Sequence, residues 1–454
     1  MLHHFISAAL ALATLGAAAA DASRPNIVFF LLDDLGYADC GFNGGTQIKT
    51  PNIDKLAAEG TVLESHYVQP VCSPTRAALL TGRYATRTGV YTIVRPHARW
   101  GLPLEERTLA NALQETGYAT AIVGKWHLGE FDPAHRPMAR GFQHQHGHYF
   151  GAIDYFKHTR DGDHDWQHDD KKLKEEGYAT HLLANEACRL IETQDQGKPL
   201  FLYIPFNAVH SPMQVPDRYL APYQALKGEH RQLAGMLACA DEAIGKIIGA
   251  LEKKGMRDNT LIVFSSDNGG PPPGDNTPLR GFKGSLWEGG VRSCAFANWP
   301  GRVPAGKRVK EPMHIIDWYP TLIKIAGGSL EQKLPIDGKD VWPMLNGNAS
   351  SPHDAILIVE SPTRAALRMG DWKLVVNRDS TNEKKKSGNP SGKKAKKNSR
   401  SVTGTMLFNL THDIGEKTNL AAQEPGRVDA MMAQLEQMMR HAAPCGASNA
   451  GRDQ

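Results

Sequence analysis

The run Ile27-Val28-Phe29-Phe30-Leu31-Leu32, followed at once by Asp33-Asp34, decides the fold class. A continuous apolar run of this length reads as a strand buried on both faces, as in a sheet covered by helices. The same form recurs three times. Ala119 to Val123 leads into Lys125-Trp126-His127, Leu200 to Ile204 leads through Asn207 to His210, and Leu261 to Phe264 leads into Asp267-Asn268. The intervening segments read as helices. Thr50-Pro51 opens one that Gly60 closes, residues 105–116 end before Gly117, and 178–195 and 230–254 carry helical apolar spacing. Strand alternating with helix implies an α/β domain with a largely parallel sheet. In such sheets ligands gather beyond the carboxyl ends of the strands. Four strands would thus deliver Asp, Lys, His and Asn to one edge, and that convergence is the bottom-up argument for an active site.

The character changes near residue 350. Residues 355–360, 372–376 and 406–409 read as short strands and 427–441 as a terminal helix, a smaller antiparallel α+β unit. The expected organisation is a signal segment 1–20, a catalytic domain 21–350, a C-terminal subdomain 351–445 and a tail 446–454. Residues 384–400 hold eight Lys and Arg and no acid, so the rest of a chain of formal charge +4 is net −4. This basic stretch lacks apolar residues and is expected to be a disordered loop. The slightly acidic body gives no support to nucleic-acid binding.

Phe5 to Ala20 is apolar and rich in small residues, and Ala18-Ala19-Ala20 offers a cleavage site, so a secretory signal is expected. No later stretch is long enough to span a bilayer, which needs about 20 apolar residues. The expected location is periplasmic or extracellular. Six cysteines are scattered without metal-type spacing. Cys188 and Cys239 fall in helical patterns and read as small core residues.

Arg76 to Arg83 reads as a helix whose first turn contains Pro74. That puts Cys72 near a helix N-terminus, where free N–H groups favour an anion. Here the chain resembles a family. Cys72-Ser73-Pro74-Thr75-Arg76 with Ala77 to Arg83 is similar to the first signature of type I sulfatases, and Gly117-Tyr118-Ala119-Thr120-Ala121-Ile122-Val123-Gly124-Lys125-Trp126-His127-Leu128-Gly129 to the second. The resemblance runs from about residue 24 to past 420. Gln69-Pro70-Val71-Cys72 and Gly101-Leu102-Pro103-Leu104-Glu105-Glu106 look most like the arylsulfatase B (N-acetylgalactosamine-4-sulfatase) branch.

The resemblance implies an alkaline-phosphatase-like fold and a maturation enzyme that oxidises Cys72 to formylglycine. One hydroxyl of the hydrated aldehyde would attack sulfur, and the other would expel sulfate. It also implies one Ca²⁺, held by Asp33, Asp34, Asp267, Asn268 and modified residue 72. Such an oxygen set suits a hard cation acting as Lewis acid and template. By the same resemblance, Arg76 holds the nucleophile and a carboxylate, and Lys125 and Lys283 contact sulfate oxygens. His127 is the base for sulfate release, and His210 and Lys283 donate to the leaving alkoxide.

His97, Arg99 and Trp100 are placed at the pocket mouth, where Arg can pair with a sugar carboxylate or sulfate. The stretch 142–168 holds six histidines; a second metal site is the alternative, but without regular ligand spacing the stretch reads as a polar loop near the active-site rim. The expected reaction is hydrolysis of a sulfate monoester, on a sulfated saccharide or aryl sulfate. The rivals are a phosphonate or phosphate ester hydrolase and an inactive binder of sulfated glycans.

Overall fold

The computed structural model describes residues 24–378 and 404–449. The signal segment 1–20 and the basic stretch 384–400 lie outside the described residues. Ten strands form the main sheet: β1 (Asn26–Leu32), β2 (Thr61–Leu63), β3 (Ala119–Lys125), β4 (His144–His148), β5 (Gln167–His168), β6 (Lys171–Lys172), β7 (Leu200–Pro205), β8 (Thr260–Ser266), β9 (Phe296–Asn298) and β10 (Lys307–Val309). Their order is β10-β2-β9-β8-β1-β7-β3-β4-β5-β6. The five central strands, β8 to β4 in that order, run parallel, with antiparallel pairings beyond them on both sides.

The opening apolar run behaves as expected. All six residues from Ile27 to Leu32 are fully buried, and their side chains alternate between two cores. Val28, Phe30 and Leu32 pack under α1 (Pro51–Ala58), α4 (Ala179–Thr193) and α5 (Gly228–Lys253). Ile27, Phe29 and Leu31 join the layer of α2 (Cys72–Thr81), α3 (Leu109–Glu115) and α6 (Trp318–Ile325). Burying each such side chain contributes roughly 1.5–3 kcal/mol. A run with no polar residue is therefore what a central strand requires.

Two expectations need correction. The helix expected from 105 begins at Leu109, because Thr108 caps it: its Oγ1 accepts from Asn111 N (3.0 Å) and its own N–H donates to Asn111 Oδ1 (3.1 Å). Ahead of the cap, Glu106 is buried against Arg83 at 3.0 Å. The stretch 142–168 is not a loop. It supplies both strands of the antiparallel β4–β5 pair, with His146 and His148 buried.

A second sheet is antiparallel: β11 (Ile356–Ser361), β12 (Arg364–Met369), β13 (Trp372–Asn377) and β14 (Gly404–Asn409) in that order, followed by α7 (Pro425–Met439). Sequence reading missed β12, whose apolar centre is bracketed by Arg364 and Arg368. Both faces are covered. Ile356, Ile358, Val375 and Phe408 pack on Tyr67, Leu286 and Val291, while Leu357, Val359, Leu367 and Leu374 share the core of the α2 layer. Within this interface Lys373 Nζ lies 2.9 Å from both Glu288 Oε1 and Glu416 Oε1, all fully buried. Glu288 also accepts from Tyr67 Oη at 2.8 Å.

These two acids are held apart in protonation. Burial raises Glu288, but Lys373, Arg292 and Arg368 outweigh it and bring it to about 2. Burial pushes Glu416 up to about 7, with the Glu288 charge adding to it against Lys373. A carboxyl raised above its unfolded value stabilises the fold below about pH 4.5 and loses that contribution as pH rises through its folded value. We therefore expect Glu416→Gln to change the melting temperature little near pH 5. Near pH 8 the variant should melt higher than the unaltered protein, on a scale of up to about 3 kcal/mol. Calorimetry at the two pH values checks this; a variant that is less stable at pH 8 than at pH 5, relative to the unaltered protein, contradicts it.

Candidate active site

The parallel register brings the polar ends of β1, β3, β7 and β8 side by side. Leu31 pairs with Pro205 on one side and Ser265 on the other, so Asp33-Asp34, Asn207–His210 and Asp267-Asn268 leave the sheet at the same level. Backbone bonds fasten these exits: Asp33 N–H donates to Ala208 O (2.9 Å), Val209 N–H to Asp33 O (2.8 Å), and Asp267 N–H to Leu32 O (3.0 Å). Lys125 is the last residue of β3. Cys72 is the first residue of α2 and only 2 % exposed. Sequence reading missed Ser73, whose hydroxyl ties α2 to the β3 exit by donating to His127 O (2.8 Å) and accepting from Val94 N–H (3.1 Å). It also missed Tyr155, whose hydroxyl meets the carbonyls of Asn207 (2.6 Å) and His210 (2.8 Å) and fixes the turn that carries His210. Nothing in the local spacing marks either residue.

Arg76 is fully buried at the centre of the cluster. Its Nη2 lies 2.7 Å from Asp267 Oδ2 and 3.5 Å from Asp33 Oδ2, and its Nη1 donates to Lys125 O at 2.9 Å. Lys125 Nζ also pairs with Asp33 Oδ2. Lys283 Nζ reaches Asp34 Oδ1 at 2.6 Å, and Asn268 Nδ2 donates to the same oxygen at 2.7 Å. His210 Nδ1 faces Ser211 O at 2.6 Å, which leaves Nε2 turned toward Asp34 Oδ2, 3.6 Å away. All the residues expected in the site, Cys72, Arg76, Lys125, His127, His210, Lys283, Asp33, Asp34, Asp267 and Asn268, are thus gathered at one sheet edge.

The loop bearing Lys283 is held from two sides. Gly284 N–H donates to Pro70 O at 2.8 Å, two residues before Cys72, and Gly289 N–H to Arg280 O at 2.7 Å. Its far end is Glu288, the residue clamped by Lys373, so the second sheet positions a site lysine. Close approach behind Asn268 requires glycine, since a Cβ at Gly269 would fall 1.8 Å from Gly289 O. Asp34 (φ 65°) and His127 (φ 59°) occupy the left-handed region, a strain of about 1–3 kcal/mol each that packing must sustain.

The electrostatics are tightly divided. Burial would raise Asp33, but Lys125, His210, Arg76 and Lys283 outweigh it and hold the carboxylate well below its ordinary range. Burial, with repulsion from Asp33, takes Asp267 up to about 6 against Arg76. Burial and the neighbouring Lys125 and Arg76 charges keep His127 neutral, and its Nδ1 is buried without a hydrogen-bond partner. Burial lowers His210 against the pull of Asp33 and Asp34, and raises the Cys72 thiol.

The donor set fits a hard cation. Asp33 Oδ1 and Asn268 Oδ1 are buried oxygen acceptors with no hydrogen-bond donor. Ligand atoms of Asp33, Asp34 and His210 lie within 4.8 Å of one another. Buried acceptors without donors are costly unless a cation completes them. Three carboxylates face three fixed cations here, so a divalent ion would turn the cluster net positive and suited to an anionic ester.

The pocket mouth is only partly as expected. His97 lines a cavity of about 280 Å³ with Glu130, Arg136, Tyr149, Phe150 and Asp163. Arg99 lies over the ring of Phe131, which lines the same cavity, at 5.1 Å, whereas Trp100 packs against Gly446. All six cysteines are free thiols.

Fold and site together are those of the alkaline-phosphatase-like hydrolases. The chain belongs to the sulfatase family, whose description, Sulfatase, matches residues 25–328, and it is a sulfuric ester hydrolase. It is 36% identical over 471 residues to arylsulfatase J of Mus musculus, covering 94% of this chain and 78% of that one. It is 35% identical to N-acetylgalactosamine-6-sulfatase of Mus musculus, over 80% and 74% of the two chains. The crystal structure of Ps i-CgsB in complex with k-i-k-neocarrahexaose superposes with a TM-score of 0.83 at 33% identity, over 93% of this chain and 94% of the other. These relatives support the family and do not single out the arylsulfatase B branch.

Proposed function

We propose that this protein is a formylglycine- and calcium-dependent carbohydrate sulfatase, acting outside the cytoplasm. The observation that carries the reading is the pair of donor-less buried oxygens, on Asp33 and Asn268, beside Cys72 at the first turn of α2 and ringed by Arg76, Lys125 and Lys283. Asp33, Asp34, Asp267 and Asn268, with residue 72, would hold Ca²⁺. When bound, the ion would polarise a sulfate oxygen, and the modified residue would supply a hydrated aldehyde oxygen as nucleophile.

The chain's own residues account for the rest. Arg76 keeps Asp267 aligned, and the ammonium groups of Lys125 and Lys283 offer charge to the sulfate oxygens. His127, with Nδ1 lacking a hydrogen-bond partner, is the candidate base for sulfate release. His210 carries Nε2 on the site side and is placed to return a proton to the leaving oxygen, with Lys283 beside it. For the substrate class, support comes from the saccharide bound by Ps i-CgsB, from the N-acetylgalactosamine-6-sulfatase relative and from the cavity at His97. A finer assignment to the arylsulfatase B branch rests on segments 69–72 and 101–106 alone. For location, support comes from the apolar stretch 5–20, and among the described residues no helix is long and apolar enough to cross a membrane.

The test is mass spectrometry of the peptide containing residue 72, in protein from its native host, with turnover of matched nitrophenyl sulfate and phosphonate esters. Unmodified cysteine throughout, or dominant phosphonate turnover, overturns the proposal. His210→Ala should lower turnover of alkyl sulfates by about 10²–10⁴-fold and of nitrophenyl sulfate much less, because phenolate departs without a proton. Equal losses on both substrates would count against the leaving-group role.

A further inference from the structure

Away from the sheet edge that holds the active site, the histidines of 144–168 form a second constellation. Strand alternation puts His144 and His146 on one face of β4, and the antiparallel register sets His168 of β5 directly opposite His146. Helix α4 lays Glu186 over that face. His144 pairs in register with Ala121, four residues back along β3 from Lys125, which is about 13 Å from the catalytic edge.

Imidazoles and carboxylates face one another throughout this cluster. His144 Nδ1 lies 3.0 Å from Asp169 Oδ1, the usual way a carboxylate fixes an imidazole so that Nε2 presents a lone pair. That Nε2 sits 2.7 Å from Glu186 Oε1, an ion-pair contact between imidazole and carboxylate. Two acceptor atoms at this separation repel unless a proton or a cation lies between them. On the other side, Glu175 Oε2 is 3.3 Å from His146 Nε2, and His146 Nδ1 meets His168 Nδ1 at 3.2 Å. Arg189 brackets the Glu186 carboxylate, with Nη2 2.6 Å from Oε1 and Nε 2.8 Å from Oε2; burial would raise Glu186, but these contacts and the hydrogen bond from His144 outweigh it and bring it to about 2.

We propose that His144, His168 and Glu186 bind a divalent transition-metal ion of the zinc class, distinct from the catalytic cation. Ligand atoms of these three residues lie within 4.8 Å of one another, close enough for one ion to reach all three. Two imidazoles and a carboxylate are the donor set of zinc, whereas calcium demands an oxygen cage. Asp169 behind His144, and His146 with Glu175 behind His168, supply the carboxylate and imidazole partners that orient metal-binding histidines. The ion would fasten β4 and β5 at the sheet's end to α4, a place where β5 and β6 are only two residues each and offer few ladder bonds.

The test uses untagged full-length protein, stripped with chelator and reloaded with calcium, then titrated with Zn²⁺ by calorimetry while metal content is measured. One equivalent is expected to bind with a Kd in the micromolar range or tighter and to raise the melting temperature. His168→Ala and Glu186→Gln should each weaken that binding by roughly 100-fold or more, while Zn²⁺ no longer raises their melting temperatures. His168 is half-exposed, so its variant should fold and keep its calcium-dependent turnover of nitrophenyl sulfate. Absence of Zn²⁺ binding below about 100 µM by the unaltered protein, or equal binding by both variants, would show a proton-bridged histidine network instead and overturn the proposal.

Discussion

Cys72→Ala is expected to lower sulfate-ester turnover by roughly 10⁶-fold, the scale for removing a nucleophile through which every step passes, the role proposed for residue 72. The change subtracts one sulfur at a position 2 % exposed, and the α2 backbone, its cap at Val71 and the Ser73 tether to His127 remain. The variant should therefore fold and keep the proposed metal ligands Asp33, Asp34, Asp267 and Asn268. Steady-state kinetics on nitrophenyl sulfate, with a circular-dichroism melt on the same sample, makes the check. Turnover within about tenfold of the unaltered protein would remove Cys72 from the mechanism. This measurement separates chemistry from architecture, since few substitutions in so dense a site leave the charges untouched.

Arg76→Ala has the largest expected effect on stability. Its guanidinium is fully buried and joins Asp267, Asp33 and the Lys125 carbonyl, which are the exits of three different strands. Removing it leaves buried carboxylates short of a partner, and breaking a buried pair in this way costs about 3–5 kcal/mol. Asp267, already raised to about 6 by burial and by Asp33, would bind a proton more readily still. The variant is expected to unfold at distinctly lower denaturant and to lose activity. Added calcium should restore part of the stability, because it would neutralise the same carboxylates. Arg76→Lys should not substitute, since a single ammonium cannot reach two carboxylates and a carbonyl from one planar fork. An Arg76→Ala protein with an unchanged unfolding midpoint would show that the pairs contribute nothing net.

The two stability predictions describe one design at two depths. At the catalytic edge, three acids and three bases hold each other in a buried cluster whose acceptors remain incomplete. Behind it, Lys373 between Glu288 and Glu416 fixes the loop that brings in Lys283. Through that clamp the C-terminal sheet supports the Lys283 loop, and among its described residues none lies in the cluster at the sheet edge.

How much of this was legible beforehand differs residue by residue. Asp33, Asp34, Lys125, His210, Asp267 and Asn268 could be read as site residues because each follows a buried apolar run, and parallel strands must end together. Cys72, Arg76 and Lys283 needed the family resemblance, since no local spacing shows what a thiol or a loop lysine will meet. The β4–β5 pair was misread as a loop because His-Gln-His-Gly-His carries no apolar alternation; His144 and His146 face carboxylates, and His146 and His148 pack against the Trp166 ring. Strand β12 escaped for a related reason, its arginines hiding a buried centre.

By itself, then, the amino-acid order determined the layered α/β class, the edge at which chemistry collects, and most of the residue types found there, because hydrophobic runs and strand ends are local properties of a chain. Which oxygens are left without donors, which carboxyl is pushed toward neutrality, how a second sheet grips the Lys283 loop and where the histidines converge were decided only by tertiary structure. Those are properties of distance and burial between residues as far apart as Asp34 and Lys283, or His144 and Glu186, and no pattern along the chain encodes a separation in space.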